Sequence, residues 1–443
     1  MAGPPTNARA ESSPPRLLRA IGRWDLTALV VNGIIGSAIF GMPAVLAGLT
    51  GLWSPLVVLL GGLGMLAVVL CHAEVASRFE DPGGPYLYAR EAFGPFIGFQ
   101  AGWLGFWIRV TSMGANLNVF VDYFSQIAPL APFGRRLTMV LVTALVTLIN
   151  VRGVRQSAHA VDAFVIAKTL PLVALVLLGL WRVRGDVLAS QAVASPDWTH
   201  AVLLLVFAYG GFEAALVPAG EFRSPRRDVG FALLVALAIV AGIYMLVQLA
   251  VVGLVPHVAG SPAPLAAAYS VLLGRGGATF ACLAAMVSTY GWTVGSTLNS
   301  PRILYSMSER SELPAALSHV HPRFRTPDVA IVCYAAAGLV FALSGGFAIN
   351  ATLAAIVRLV TYALVCAALP ALRWRWPAER PGFALAGGLL IAPLGLFFCL
   401  WLLSTRTFAQ AWVLLATMAV GTVLWWLGPR LNSAGSGERM ARP

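Results

Sequence analysis

The sequence predicts an all-α polytopic membrane protein, and three observations lead to that prediction. Of the 443 residues, 58% are hydrophobic and only 11% are charged, and the mean hydropathy is +0.80. A soluble fold of this length could not bury so much apolar surface, so lipid must cover the excess. Apolar runs long enough to cross about 30 Å of hydrocarbon recur along the whole chain. Two of these runs are interrupted by glycines, which a bilayer tolerates only where the backbone is buried in protein or lines a cavity.

The apolar runs predict twelve membrane-spanning helices within one transmembrane domain at residues 21–430. Residues 1–20 are polar and rich in Pro, Ser and Arg, which indicates a disordered cytoplasmic lead, and residues 431–443 form a cytoplasmic tail. Helices one to five occupy about 24–181, helices six to ten about 199–371, and helices eleven and twelve about 382–427. The individual spans are 24–48, 54–77, 94–126, 136–151, 158–181, 199–220, 228–254, 276–306, 328–345, 350–371, 382–404 and 408–427.

The distribution of arginine predicts the orientation. If the N-terminus is cytoplasmic, most of the 30 Lys and Arg residues fall in cytoplasmic loops. The outer loops receive only Arg135, Arg136, Arg182, Arg184, Arg275 and Arg406. This positive-inside bias places both termini in the cytoplasm of a multi-pass protein of the cell membrane, and the low lysine content is typical of a GC-rich bacterial genome. The net charge of +12 is dispersed over short loops, so nucleic-acid binding is not expected.

Helices one to five and six to ten follow the same plan, since each set opens with a broken helix. Five spans per copy is an odd number, so the second copy is inverted relative to the first. We therefore expect a five-plus-five inverted repeat whose two breaks meet near the middle of the membrane, with helices eleven and twelve packed outside.

The two breaks have a chemistry suited to a small zwitterion. The first carries GSAIFG at residues 36–41 and the second carries AYGGFE at residues 208–213. A half-helix that begins at a break presents free N–H groups to a carboxylate, and one that ends there presents carbonyls to an ammonium or a metal cation. Close helix packing is the alternative role for such glycines. Matching positions in two copies favour a binding site, formed by Ile35, Gly36, Ser37, Gly41, Phe207, Tyr209, Gly210 and Gly211.

Four longer motifs resemble the amino acid, polyamine and organocation permease superfamily. They are GIIGSAIFGMPA at 33–44, AEVASRFEDPGGPYLYAREAFGP at 73–95, FAYGGFEAALVPAGEFRSPRRDV at 207–229 and SPRILYSMSERSELPAALSHVHPRFRTP at 300–327. The motifs occur in the order typical of that family and the resemblance covers about residues 24–372. It implies a LeuT-type fold and secondary transport of amino acids or their derivatives by alternating access.

Lys168 is the only lysine in the sequence and lies about ten residues into helix five, roughly 15 Å deep at 1.5 Å per residue. A lysine in such a dry place is able to take and release a proton. By the resemblance, it occupies the volume in which sodium-coupled relatives bind a cation. Its expected partners are the backbone around Gly33 and a hydroxyl of Ser288 or Thr289. A structural link between helices is the alternative role.

Two further intramembrane charges, Arg109 and Glu213, are candidates for substrate binding or gating. They could equally form a buried pair with each other, or pair with Glu74. Arg358 is expected to be structural. Phe207, Tyr209 and Phe212 border the second break and are expected to close over the substrate, as are Trp107 and Trp292.

These features predict a secondary amino acid transporter that is independent of sodium and works as a proton symporter or an exchanger. The expected partners are an amino acid, protons and the lipid bilayer, with no cofactor and no metal. A polyamine or cationic amino acid antiporter is the alternative, in which Glu213 attracts the substrate. A membrane enzyme would need clustered catalytic groups, and a channel would need an open polar pore, neither of which the sequence indicates.

Overall fold

The structure is a computed structural model that describes residues 21–81, 83–153, 158–217, 219–377 and 381–439, with only the backbone described at 158–167 and 429–439. The predicted lead at residues 1–20 lies outside the described residues. In chain order the helices are α1 (Arg23–Ile34), α2 (Ala38–Thr50), α3 (Ser54–Ala76), α4 (Pro85–Phe93), α5 (Pro95–Ile127), α6 (Pro132–Val151), α7 (Ala158–Gly179), α8 (Gly185–Ala189), α9 (Trp198–Ala208), α10 (Phe212–Ala215), α11 (Pro225–Leu254), α12 (Pro264–Asn299), α13 (Pro301–Glu309), α14 (Asp328–Ser344), α15 (Phe347–Arg375), α16 (Gly388–Ser404) and α17 (Phe408–Arg439).

All the regular secondary structure of the described residues is helical, apart from an isolated bridge between Ile21 and Phe222. Within them, seven helical stretches are long and apolar enough to cross a membrane. They are Ala38–Ala76, Pro132–Val151, Trp198–Ala215, Pro225–Leu254, Pro264–Glu309, Phe347–Arg375 and Phe408–Gly428. The expectation of an all-α polytopic protein is confirmed. The count of twelve spans and the inverted repeat stay predictions.

Glycine and proline set several helix boundaries that differ from the sequence prediction. The predicted loop before residue 276 contains the first turns of α12, which starts at Pro264 and is kinked at Gly274, where φ is +66°. Gly94, with φ of +94°, separates α4 from α5, and Pro95 opens α5. These positive φ values favour glycine because a side chain is strained there. The last helix continues past the predicted end at residue 427 to Arg439.

The long helix α5 lies at the centre and packs along α12, α14 and α15. Its buried amides hold it to its neighbours. Asn116 Nδ2 donates to Thr289 O at 2.6 Å in α12, and Asn118 Nδ2 donates to Ala342 O at 3.1 Å in α14. In contrast, α6 and α17 expose large apolar side chains such as Leu141, at 59%, and Trp412, at 62%. An apolar outer face around an interior in which polar side chains hydrogen-bond between helices is the pattern of a protein surrounded by lipid.

Candidate functional site

Both predicted breaks are present and their backbones meet. The first break lies between α1 and α2 at residues 35–37, and the second lies between α9 and α10 at residues 209–211. Gly211 has a φ of +110°. A Cβ added at Gly33 would lie 3.1 Å from the carbonyl oxygen of Gly211, and one added at Gly211 would overlap the carbonyl oxygen of Gly33. Glycine is therefore required at 211, where the second break touches the end of α1, and a side chain at 33 would be tightly packed.

The N–H groups at the first break are unpaired within the described part of the chain. Among the described residues, the N–H groups of residues 36–39 have no hydrogen-bond acceptor. The next two N–H groups turn back to the chain, where Phe40 and Gly41 donate to Ser37 O at 3.1 Å. Residues 37–39 are buried, so these groups cannot all be satisfied by bulk water. Buried unpaired N–H groups at the start of a helix favour an anion.

The carbonyl side of the first break is occupied by a lysine. Lys168 Nζ donates to Asn32 O at 2.8 Å and to Ile35 O at 2.9 Å. Tyr244 Oη donates to Ile34 O at 3.1 Å. Lys168 is 8% exposed, and an ammonium in this place gives the free carbonyls at the end of α1 the positive charge they favour.

The expected contact between Lys168 and a hydroxyl of α12 is absent from the described structure. Thr289 Oγ1 donates within its own helix to Ala285 O at 2.7 Å. No hydrogen bond joins Ser288 to Lys168 in the part of the chain that the structure describes. A threonine in a helix readily bonds the carbonyl one turn back, and that local bond satisfies its hydroxyl.

The second break is closed by its own carboxylate. Glu213 Oε2 accepts from Gly211 N at 2.8 Å and from Tyr362 Oη at 3.0 Å. Glu213 Oε1 lies 3.1 Å from Arg358 Nη2 and accepts from Arg358 Nε at 3.2 Å. Arg358 Nη1 also donates to Phe207 O at 3.3 Å, at the end of α9. The carboxylate and the guanidinium thus cap both ends of this break.

This arrangement corrects the pairing expected for Glu213, since its partner is Arg358 rather than Arg109. Arg358 is the twelfth residue of α15, which begins at Phe347 and has 29 residues, so it lies deep in the helix. Glu74 instead pairs with Arg373, whose Nη2 lies 2.5 Å from Glu74 Oε2. Arg109 has no carboxylate within ion-pair distance among the described residues, and its charge interacts at longer range with Glu213 and Arg358.

Of the aromatic candidates, Trp292 lies beside the first break, Phe207 packs against a ring that contacts α2, and Tyr209 faces away from the first break. A Cβ added at Gly36 would lie 3.7 Å from the Trp292 indole. The Phe207 ring is 6.0 Å from the ring of Phe347, which sequence reasoning did not nominate and which contacts Gly41. Tyr209 is fully buried, and its hydroxyl donates to Val58 O at 2.8 Å in α3.

Two other aromatic candidates lie apart from this group. Phe212 stacks on Tyr362 with 5.4 Å between ring centroids. Trp107 packs against Phe341 with 5.9 Å between ring centroids. Tyr362 was also missed by sequence reasoning, although it lies four residues after Arg358 and hence on the same helix face.

Apolar spanning helices, two of which break where their backbones meet, define a multi-pass membrane transport protein. A family model described as "Amino acid permease" matches residues 21–429. The chain belongs to this amino acid permease family. The resemblance drawn from the four motifs is confirmed.

Several characterised proteins are similar over most of their length. The chain is 30% identical to the serine/threonine exchanger SteT of Bacillus subtilis (strain 168) over 347 residues, which are 74% of this chain and 77% of that protein. It is 26% identical to the large neutral amino acids transporter small subunit 2 of Mus musculus, covering 96% of this chain and 85% of that protein. It is 25% identical to the methylthioribose transporter of Bacillus subtilis (strain 168), covering 96% of each.

Proposed function

We propose that this protein is a secondary transporter of amino acids that works by alternating access, is independent of sodium, and acts as a proton symporter or an exchanger. One observation carries the proposal. The Lys168 ammonium lies on the carbonyls of Asn32 and Ile35, and the bare N–H groups of residues 36–39 lie directly beside it. A protein cation already fills the carbonyl end of the break, and the N–H end is open to an anion.

The substrate carboxylate is the group that this site selects. Free N–H groups at the start of α2 suit a carboxylate, and the glycine at position 36 leaves room for its approach. Fewer acceptors are available to the substrate ammonium, because the carbonyls of Asn32, Ile35 and Phe207 already accept from side chains. The Phe207 carbonyl also accepts from Gly210 N at 3.2 Å. In contrast, the carbonyl oxygens of Asn32 and Ile35 each have a second lone pair that can accept one more donor.

A neutral amino acid fits this site better than a polyamine or a cationic amino acid. The cationic alternative requires the Glu213 carboxylate to face the substrate unpaired. In the structure both of its oxygens accept hydrogen bonds, from Arg358, from Tyr362 and from the N–H of Gly211. The serine/threonine exchanger and the large neutral amino acids transporter among the relatives support the same class of substrate.

The remaining features of the proposal follow from the sequence. Twelve spans, an inverted repeat and both termini in the cytoplasm of the cell membrane are part of it. Lys168 would release its contact with the carbonyls of α1 when it loses its proton, which would link proton movement to opening of the site. Membership of the permease family points away from an enzyme.

The test is uptake by the purified full-length protein in proteoliposomes. Labelled serine, threonine, leucine, glutamate, lysine and putrescine are compared, with unlabelled methylthioribose as a competitor. We expect neutral amino acids to be taken up, and uptake to be unchanged when sodium is replaced by choline. Acceleration by an inward proton gradient indicates symport, and acceleration by internal substrate indicates exchange. Sodium-dependent uptake, or uptake of putrescine alone, would contradict the proposal.

A further inference from the structure

The end of α6 and the loop before α14 bring three exposed arginines together at one membrane surface. Arg152 directly follows α6, and Arg323 and Arg325 lie in the loop that ends where α14 begins. The two segments are in contact, because Thr326 Oγ1 donates to Val151 O at 2.7 Å. A Cβ added at Gly153 would lie 3.2 Å from the Thr326 methyl group. We name the three residues Arg152, Arg323 and Arg325 the arginine patch.

The loop that carries two of these arginines has a defined shape. His321 N donates to Thr326 O and Arg325 N donates to His321 O, both at 2.9 Å. Arg325 has a φ of +57°, which is uncommon for a residue with a side chain and is held here by those bonds. Arg323 lies over the ring of Phe324 at 5.5 Å from its centroid. The backbone at Arg323 and Arg325 is therefore fixed by the fold of the loop, and the Arg323 guanidinium is placed by the ring beneath it.

No protein carboxylate balances the arginine patch within the described structure. Arg152, Arg323 and Arg325 have no ion pair there, and all three are exposed. The nearby acid Asp328, at the start of α14, is bonded to His319, with 2.7 Å between Oδ1 and Nδ1. Three clustered cations without a counter-charge attract an anion from outside the protein.

An apolar wall continues from the arginine patch into the membrane. Helices α6 and α14 pack against each other. Their outward side chains are apolar and exposed, with Leu141 at 59%, Leu145 at 50%, Val332 at 51% and Val340 at 62%. A ligand that fits both the arginine patch and the apolar face of α6 and α14 needs a negatively charged head and hydrocarbon chains.

We propose that the arginine patch and the outer face of α6 and α14 form a binding site for an anionic phospholipid. The phosphate of the headgroup lies between the guanidinium groups, and the acyl chains lie along the two helices. The positive-inside bias needs only that arginines lie somewhere on this surface. Three arginines that converge from two different segments form a binding site in addition. By the positive-inside bias, the lipid belongs to the cytoplasmic leaflet.

Cys333 allows a direct test, since it is exposed near the start of α14 and the other four cysteines are buried. The full-length protein is labelled there with a fluorophore and reconstituted in phosphatidylcholine vesicles. Small, equal fractions of phosphatidylglycerol or phosphatidylcholine with nitroxide-labelled acyl chains are then added. We expect the anionic lipid to quench the fluorophore at about tenfold lower mole fraction, and this preference to decrease in high salt.

Matched variants separate a site from general attraction by charge. The variant Arg152→Gln/Arg323→Gln/Arg325→Gln should lose the preference for the anionic lipid. The control Arg223→Gln/Arg227→Gln/Arg302→Gln removes three exposed arginines elsewhere on the surface assigned to the cytoplasm and should keep it. Equal quenching by the two lipids in the wild-type protein, or equal loss of preference in both variants, overturns the proposal. The wild-type measurement stands even if the triple variant fails to fold.

Discussion

The first and second helix breaks contact each other through their backbones and are opposite in how they are capped. At the first break, Lys168 binds the carbonyls of α1 and the N–H groups of residues 36–39 are left open. At the second, Glu213 accepts from the N–H of Gly211 and Arg358 donates to the carbonyl of Phe207. The second break therefore carries its own anion and cation, whereas the first lacks an anion. One break thus carries both of its charges, and the other is open to an anion.

The charged pair at the second break gives the largest expected effect. The variant Glu213→Gln leaves Arg358, whose side chain is 6% exposed, without a carboxylate. Removal of one member of a buried pair costs about 3–5 kcal/mol of the free energy of unfolding. Thermal unfolding in detergent should show a large destabilisation, and the double variant Glu213→Gln/Arg358→Gln should recover part of it.

A matched control is the exposed pair of Arg184 and Asp186, whose side chains are 67% and 65% exposed. The variant Asp186→Asn should leave the unfolding temperature unchanged, because exposed pairs contribute little. If Glu213→Gln unfolds at the wild-type temperature, the second break does not depend on its own charges.

The glycines of the two breaks should differ in their tolerance to alanine. At Gly211, a side chain meets both a φ of +110° and the backbone of Gly33, so Gly211→Ala should cost at least about 1–3 kcal/mol and reduce the yield of folded protein. At Gly36 the added Cβ lies at an ordinary 3.7 Å from Trp292, so Gly36→Ala should fold normally. Size-exclusion profiles and unfolding temperatures compare the two, and equal stability would remove this distinction.

Lys168 connects the first break to α7, and its loss should reduce transport. In Lys168→Ala the carbonyls of Asn32 and Ile35 lose their shared donor, so the site loses its own cation. We expect net uptake to fall about tenfold or more. The pH dependence of any remaining exchange should flatten. Full proton-driven accumulation by Lys168→Ala would show that the lysine is only a structural link.

The smallest expected effect concerns the open N–H groups themselves. The variant Gly36→Val places a branched side chain beside residues 36–39 and should obstruct the substrate carboxylate. Loss of one hydrogen bond to a charged group, about 1.5 kcal/mol, weakens substrate affinity about tenfold. Protection against thermal unfolding by increasing substrate concentration measures the affinity. Wild-type affinity in a folded Gly36→Val protein would place the carboxylate elsewhere.

Sequence reasoning succeeded where the signal is local. The positions of the breaks and the glycines that form them were read from short stretches of residues, and the contact of Lys168 with the backbone around Gly33 followed from the family resemblance of such stretches. It failed where a side chain has several partners within reach. Thr289 was expected to face Lys168 and instead bonds its own helix, and Tyr209 was expected to face the substrate and instead bonds Val58.

The amino-acid sequence by itself determined that the chain crosses a membrane, where two of its helices unwind, and which family it belongs to. Apolar length, glycine and motif order are properties of contiguous residues, so no knowledge of packing is needed to read them. Only the tertiary structure decided that Glu213 pairs with Arg358, 145 positions away, rather than with Arg109. Buried charges are paired by geometry across helices, and charge alone offered three arrangements of similar merit. The pairing of Glu213 with Arg358 closes the second break, whereas the first break stays open to a ligand.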